Sequence, residues 1–352
     1  MIMQKIYQKF SKDLSIDLGT SNTRVYTKDK GIILNEPSVV AINTRNDQIV
    51  AIGKTAKSMI GKTPPHIEIV RPLVKGIISD FEVTEKMLKY YIDQAFKLDF
   101  SMLPRPRIVM SVPLDITEVE RKAVEDAALS AGAREIFLIE ESMAAAVGAR
   151  MNIHDSIGNM IVNLGGGLTE ISVISLNGIV TWRSIPTAGE ELNRNIIQYA
   201  RDQFNLILGE KNAEEIKMRI GSAYELPEPL EMEMRGRDIM SGLPKEITVN
   251  DSQIRESLAR SLKIIIENIK STLEVTPPDL IADIYERGMV LTGGGASLKG
   301  LDIAISEVTQ IPVRVADDPS TCVVRGTGFV MENLTDFRDI VIPSTSEVPA
   351  NF

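Results

Sequence analysis

Cysteine occurs once in this 352-residue chain, at Cys322, so no disulfide can form within it and a cytosolic, reducing setting is expected. Histidine occurs twice, and His66 and His154 lie too far apart in sequence to suggest a metal site. The single tryptophan, Trp182, is expected to serve packing, as is Cys322. Basic charge is in deficit: 39 Lys and Arg against 48 Asp and Glu leave a net charge of -9. That balance argues against nucleic acid as the ligand, because a phosphate backbone demands clustered Lys and Arg. No apolar run approaches the ~20 residues of a membrane span, and no cleavable leader is evident. What remains is ordinary for a globular chain, with 43% hydrophobic and 25% charged residues, so disorder is expected only at the ends. The length exceeds what one core usually holds, and two domains are expected.

Against these absences stands a repetition. Ile16-Asp17-Leu18-Gly19-Thr20-Ser21-Asn22-Thr23 returns 146 positions later as Val162-Asn163-Leu164-Gly165-Gly166-Gly167-Leu168-Thr169. In both copies an apolar strand enters a glycine turn and a second strand leaves it, through Arg24-Val25-Tyr26 and Ile171-Ser172-Val173-Ile174. Glycine lets the backbone approach an anion and turn successive N–H groups toward it, so each hairpin can grip part of a polyphosphate. The copies differ in charge, since Asp17 is a carboxylate and its counterpart Asn163 a neutral amide. A third glycine turn, Gly293-Gly294-Gly295-Ala296-Ser297, follows the strand Met289-Val290-Leu291-Thr292 and is expected to lead into a helix. A lone glycine triplet is usually only a turn; three in comparable settings point to a ligand. No G-x-G-x-x-G opens a helix, and no G-x-x-x-x-G-K-[ST] is present.

The remaining signals organise the chain around the repeat. Lys28-Asp29-Lys30-Gly31 reads as a hairpin turn. Residues 84–96 read as a helix capped by Thr84, with Met87, Leu88, Tyr91, Ile92 and Ala95 on one face. Residues 108–113 read as a strand. Thr117-Glu118-Val119-Glu120 is a capping box opening a helix to about Ala131. A long helix starts near Asp251, with Ile254, Leu258, Leu262, Ile265, Ile269 and Leu273 on one face, and Pro277-Pro278 ends it. Each half carries a smaller excursion, at about 35–75 and 191–250. The expected division is a segment 1–12, a domain 13–155, a domain 156–335 and a tail 336–352. Two like halves of sheet and helix describe a two-lobed α/β clamp holding nucleotide between its lobes. At the N-terminus, Ile2, Met3, Ile6, Tyr7 and Phe10 recur at helical spacing beside Lys5, Lys9 and Lys12, the pattern of an amphipathic helix lying on a membrane surface.

These motifs resemble the phosphate and adenosine motifs of the actin, sugar kinase and heat-shock chaperone superfamily, and most closely those of the MreB bacterial actins. Asn35-Glu36-Pro37-Ser38-Val39-Val40-Ala41, Arg71-Pro72-Leu73, Ile139-Glu140-Glu141-Ser142-Met143-Ala144-Ala145-Ala146, Arg235-Gly236-Arg237-Asp238 and Glu274-Val275-Thr276-Pro277-Pro278 extend the resemblance from about Lys12 to Asn333. It implies an actin-like (ribonuclease H-like) fold of four subdomains, with ATP and Mg²⁺ in a central cleft. It also implies paired protofilaments of the chain itself at the inner face of the cell membrane, working with membrane proteins that organise cell shape. On this reading Asp17 faces Mg²⁺ largely through water, and Gly19, Thr20, Ser21 and Asn22 hold phosphates. Asn163, Gly165, Gly166 and Gly167 hold them from the second half. Glu214 and Lys217 match ribose and adenine contacts, Gly293, Gly294, Gly295, Ala296 and Ser297 line the nucleoside, and Glu141 orients the attacking water. Leu98, Phe100, Met102 and Leu103, beside Lys97, Arg105 and Arg107, stand where the family carries an apolar membrane loop and would join Ile2, Ile6 and Phe10 there.

Three positions depart from the family pattern. Asn163 stands for aspartate, Leu168 for a threonine that helps to position water, and Ser142 for the proline after the glutamate. Binding with slow hydrolysis is the expectation. A nucleotide-locked scaffold without ATPase activity and a soluble, sugar-kinase-like phosphotransferase are the alternatives. The last needs a catalytic base at a substrate hydroxyl and a sugar pocket, and no motif supplies either.

Overall fold

The computed structural model describes residues 13–99 and 105–342. They divide into two compact units, one of residues 13–99, 105–154 and 321–342 and one of Asp155–Ser320.

The first unit is built on a five-stranded sheet ordered Glu135–Glu140, Arg107–Val112, Leu14–Leu18, Asn22–Thr27, Gly31–Pro37. The first three strands run parallel and the rest antiparallel. Leu14–Leu18 is buried at every position, as a central strand covered on both faces requires. Phe81–Asp99 presents Met87, Leu88, Tyr91, Ile92 and Ala95 to this core, all buried, and each large side chain there contributes roughly 1.5–3 kcal/mol. Thr84 is not its cap. The helix starts three residues earlier, where the Asp80 carboxylate accepts from the Val83 N–H at 3.0 Å. Thr84 Oγ1 instead donates back to the Asp80 carbonyl at 2.6 Å. The capping box at Thr117 and Glu120 forms as expected, opening Glu118–Ser130. A smaller sheet, Gln48–Ile52, Val40–Asn43 and Ile67–Val70, carries the short helix Lys54–Met59.

The second unit repeats the plan. Its sheet is ordered Gly178–Ile185, Thr169–Ser175, Asn159–Leu164, Met289–Thr292, Val313–Val315, with the same alternation of parallel and antiparallel neighbours. Asn159–Leu164 and Thr169–Ser175 are buried throughout. Gly178–Ile185 lies at the sheet edge with every second residue outward, which leaves Trp182 43% exposed rather than packed. Asp251–Glu274 buries Ile254, Leu258, Leu262, Ile265 and Ile269 as its periodicity requires, opened by a capping box between Asn250 and Gln253. Pro278 does more than stop this helix: it occupies the first turn of another, Pro278–Arg287, where its missing N–H costs nothing.

One packing contact in the first unit positions a candidate residue. Cys322–Glu332 crosses Glu141–Gly148 so closely that a Cβ on Gly148 would sit 1.8 Å from the Cys322 carbonyl oxygen, and one on Gly326 would sit 1.7 Å from that of Ala144. Glycine is the residue that permits this approach, and it fixes the helix that begins at Glu141.

Candidate functional site

The two glycine hairpins share one register. Ile16, Asp17 and Leu18 pair with Val25, Arg24 and Thr23, while Val162, Asn163 and Leu164 pair with Ile171, Glu170 and Thr169. The repeat seen in the sequence is therefore a repeat in backbone pairing.

In the first hairpin, Ser38 pins the turn from behind. Its hydroxyl donates to the Gly19 carbonyl at 2.6 Å and its N–H to the Ser21 carbonyl at 3.1 Å. A trans peptide points its carbonyl and N–H in opposite directions, and no cis peptide occurs among the described residues. The N–H groups of Thr20 and Asn22 are thus turned away from Ser38. Thr20 Oγ1 accepts from the Gly76 N–H at 2.7 Å, which ties the loop to the turn between Leu73–Val74 and Ile77–Ile78. Gly19 has to be glycine, since a Cβ there would meet the Asn22 carbonyl oxygen at 2.9 Å.

The second hairpin is pinned by a helix start. The N–H groups of Gly189 and Glu190, at the head of Gly189–Phe204, donate to the carbonyls of Gly165 and Gly166 at 3.1 and 2.8 Å. The N–H groups of Gly166 and Gly167 consequently point away from that helix. Both loops thus hold their carbonyls backward and aim donors forward, the arrangement a phosphate requires. Lys217, on Glu210–Ile220, donates from Nζ to the Gly189 carbonyl at 2.7 Å and so braces the same helix start. Glu214 lies one turn before it, half-buried on the same helix.

The third glycine turn packs against the second hairpin. Gly293 has φ +80, its N–H donates to the Pro319 carbonyl at 2.7 Å, and a Cβ there would lie 2.3 Å from the Leu164 carbonyl oxygen. The turn passes through a 3₁₀ segment, Gly294–Ser297, before the helix Leu301–Thr309, so the expected direct entry into a helix is corrected. Thr292 Oγ1 donates to Asn163 Oδ1 at 3.3 Å, which places Asn163 and residues 293–297 together in this unit.

Charge is distributed unevenly. Asp17 is buried; desolvation pushes its carboxyl above the usual range, while the Arg24 guanidinium at 2.9 Å and Ser111 Oγ at 3.5 Å pull the other way. Asp17, Ser111 and Glu140 stand near the carboxyl ends of neighbouring parallel strands, the edge at which α/β sheets take ligands. Burial pushes Glu140 upward. Glu141 follows directly as the first residue of its helix, where an acid suits the helix dipole.

Among the described residues, no cluster of three or more His, Cys, Asp or Glu could hold a metal. The donors fit a hard cation kept on phosphate oxygens and water with one carboxylate nearby, and do not fit an all-protein cage. Of the residues expected at a membrane, Leu98 is exposed, and the Lys30 ammonium donates to its carbonyl at 2.6 Å. Ile2, Ile6, Phe10, Phe100, Met102 and Leu103 lie outside the described residues. Among those residues no helix is long and apolar enough to cross a membrane. Sequence reading missed Arg24, Ser38 and Thr292. Only Arg24 carried a signal, because the hairpin register sets it opposite Asp17.

A family model described as MreB/Mbl protein matches residues 11–339. The chain is 49% identical over 337 residues to the cell shape-determining protein MreB of Escherichia coli (strain K12), covering 94% of this chain and 96% of that one. To the cell shape-determining protein Mbl of Bacillus cereus it is 46% identical over 326 residues, covering 92% and 97%. Among solved structures, MreB5 of Spiroplasma citri bound to ADP superimposes with a TM-score of 0.88 at 35% identity, covering 93% of this chain and 98% of that one. The AMPPNP-bound form of the same protein matches with the same TM-score.

Proposed function

This chain belongs to the MreB/Mbl family, and on that premise we propose that it is an ATP-binding bacterial actin that assembles into membrane-associated filaments organising cell shape. The observation that carries this reading is the pair of hairpins in one register, each with its carbonyls pinned and its N–H groups turned outward. The two nucleotide-bound forms of MreB5, which share this fold, support it.

Gly19, Thr20, Ser21 and Asn22 serve the phosphates, as do Gly165, Gly166 and Gly167. Residues 293–297 with Glu214 and Lys217 serve the nucleoside. Asp17 is the carboxylate that would face a bound Mg²⁺, which would supply neutralisation of phosphate charge. Glu141 is the residue that orients water, and Asn163 and Leu168 make turnover slow. The same substitutions favour the nucleotide-locked scaffold as the second reading. Filaments of paired protofilaments lie against the inner face of the membrane through residues 1–12 and the segment about Leu98. Single apolar contacts are weak, so a polymer binds by avidity.

One experiment tests the whole: liposome flotation of the full chain with and without ATP, with electron microscopy of the floated fraction. ATP-dependent filaments on liposomes are expected. Monomers across a range of salt and protein concentrations would refute filament formation. Flotation unchanged after deleting residues 1–10 and replacing Leu98, Phe100 and Leu103 with Ser would refute the membrane contact.

A further inference from the structure

We propose that Arg24 is a resident counter-ion that sets how far nucleotide binding by this chain depends on a divalent cation. The inference rests on the nucleotide site proposed above. Arg24 Nη1 lies 2.9 Å from Asp17 Oδ2, and the two side chains are 13% and 5% exposed. Strand register fixes the pair, since residues 17 and 24 are directly opposite on neighbouring antiparallel strands and so project from the same face of the sheet. Ser111 Oγ approaches the other carboxylate oxygen at 3.5 Å, so Arg24 is the charged partner of Asp17. Arg24 Nε is itself buried without a hydrogen-bond partner, which leaves donor capacity on a cation beside the loop. Guanidinium keeps its charge at every accessible pH.

The second hairpin extends the case. Its position equivalent to Asp17 is Asn163, an amide already accepting from Thr292, while the residue opposite, Glu170, is a buried acid. Asp17 is therefore neutralised by a contact cation, whereas at the equivalent position Asn163 carries no charge and the carboxylate has moved to the residue opposite, Glu170. An ion approaching Asp17 must displace Arg24 or stand near a like charge, and that repulsion is large where burial lowers the effective dielectric. Paired with Asp17, the guanidinium cancels the buried carboxylate that would otherwise repel a polyphosphate at the hairpin that turns the Thr20 and Asn22 N–H groups outward. Polyphosphate is thus met by main-chain donors without repulsion from Asp17, and nucleotide should be retained when the divalent ion is withdrawn.

The test is fluorescent ATP binding by the full chain as Mg²⁺ is titrated from excess chelator to saturation. For the natural chain, affinity should change less than ~5-fold across the titration. Arg24→Met should bind nucleotide in Mg²⁺ and lose at least ~10-fold on chelation, about 1.4 kcal/mol. Arg24→Lys should stay close to the natural chain, a rescue that a merely structural arginine would not predict at this readout. Should Arg24→Met fail to fold, the natural chain's own titration and that of Asn163→Asp, which is expected to steepen Mg²⁺ dependence, decide the matter. Equal Mg²⁺ dependence in all chains, or loss of binding by the natural chain on chelation, overturns the role of Arg24 while leaving the nucleotide site standing. No binding by the natural chain even in Mg²⁺ overturns both.

Discussion

In the first hairpin a carboxylate at 17 faces an arginine at 24; in the second an amide at 163 faces a carboxylate at 170, although the pairing between strands is the same. The backbones have kept one plan. Each loop has its carbonyls held from behind, in one case by Ser38 and in the other by the first N–H groups of a helix. The side chains have diverged. Gripping an anion is thus a property of main-chain geometry, which tolerates exchange of the residues around it. Drawing a cation and orienting a water molecule depend on individual side chains and can be lost while the grip persists.

The strongest way to break this comparison is to restore the second hairpin to the family pattern. Asn163→Asp with Leu168→Thr should accelerate single-turnover phosphate release by ~10²–10³, the range associated with one preorganised polar group. A natural chain that already releases phosphate as fast as the double variant would show that the divergence has no chemical effect. Next comes the close approach behind Asn163. Gly293→Ala places a Cβ 2.3 Å from the Leu164 carbonyl oxygen at φ +80, whereas Gly242→Ala meets only its strained φ of +70, with nothing within 4 Å. Urea unfolding should register a loss of about 3 kcal/mol or more for the former and about 1 kcal/mol for the latter. Equal losses would mean that backbone conformation alone, and not proximity, fixes that glycine. The smallest effect is expected from Lys217→Met, which frees the Gly189 carbonyl and removes the proposed nucleoside contact. Nucleotide affinity should drop about 10-fold, the scale of one hydrogen bond to a charged donor. A change below 2-fold in fluorescent ATP binding would show that neither the brace on the helix start nor the proposed nucleoside contact matters.

Much of this was legible beforehand because it follows from local rules. The hairpin repeat, the stripe on Phe81–Asp99 and the box at Thr117 all express spacing within a few residues. The misreadings arose where a nonlocal partner or a competing local one prevailed. Thr84 has the chemistry of a cap, but Asp80 occupies that place and Thr84 bonds backward. Trp182 has the volume of a core residue, but its strand lies at a sheet edge, which no periodicity reveals. Pro278 reads as a terminator because proline ends helices, yet it is equally suited to begin one. In the candidate site, glycine turns are visible in any reading of the chain. Ser38 and Thr292 are ordinary hydroxyl residues whose importance comes only from where the sheet delivers them.

The glycine interlock between Glu141–Gly148 and Cys322–Glu332 bears on the order in which the protein is made. The helix that begins at Glu141 has its packing partner in a segment synthesised some 170 residues later, whereas Asp155–Ser320 is continuous. Emerging from the ribosome, the second unit can complete its core while the first, although begun earlier, still lacks a wall. The residue expected to orient water is locked in place only near the end of translation, so a truncated chain would carry an intact second hairpin and an unfinished first unit.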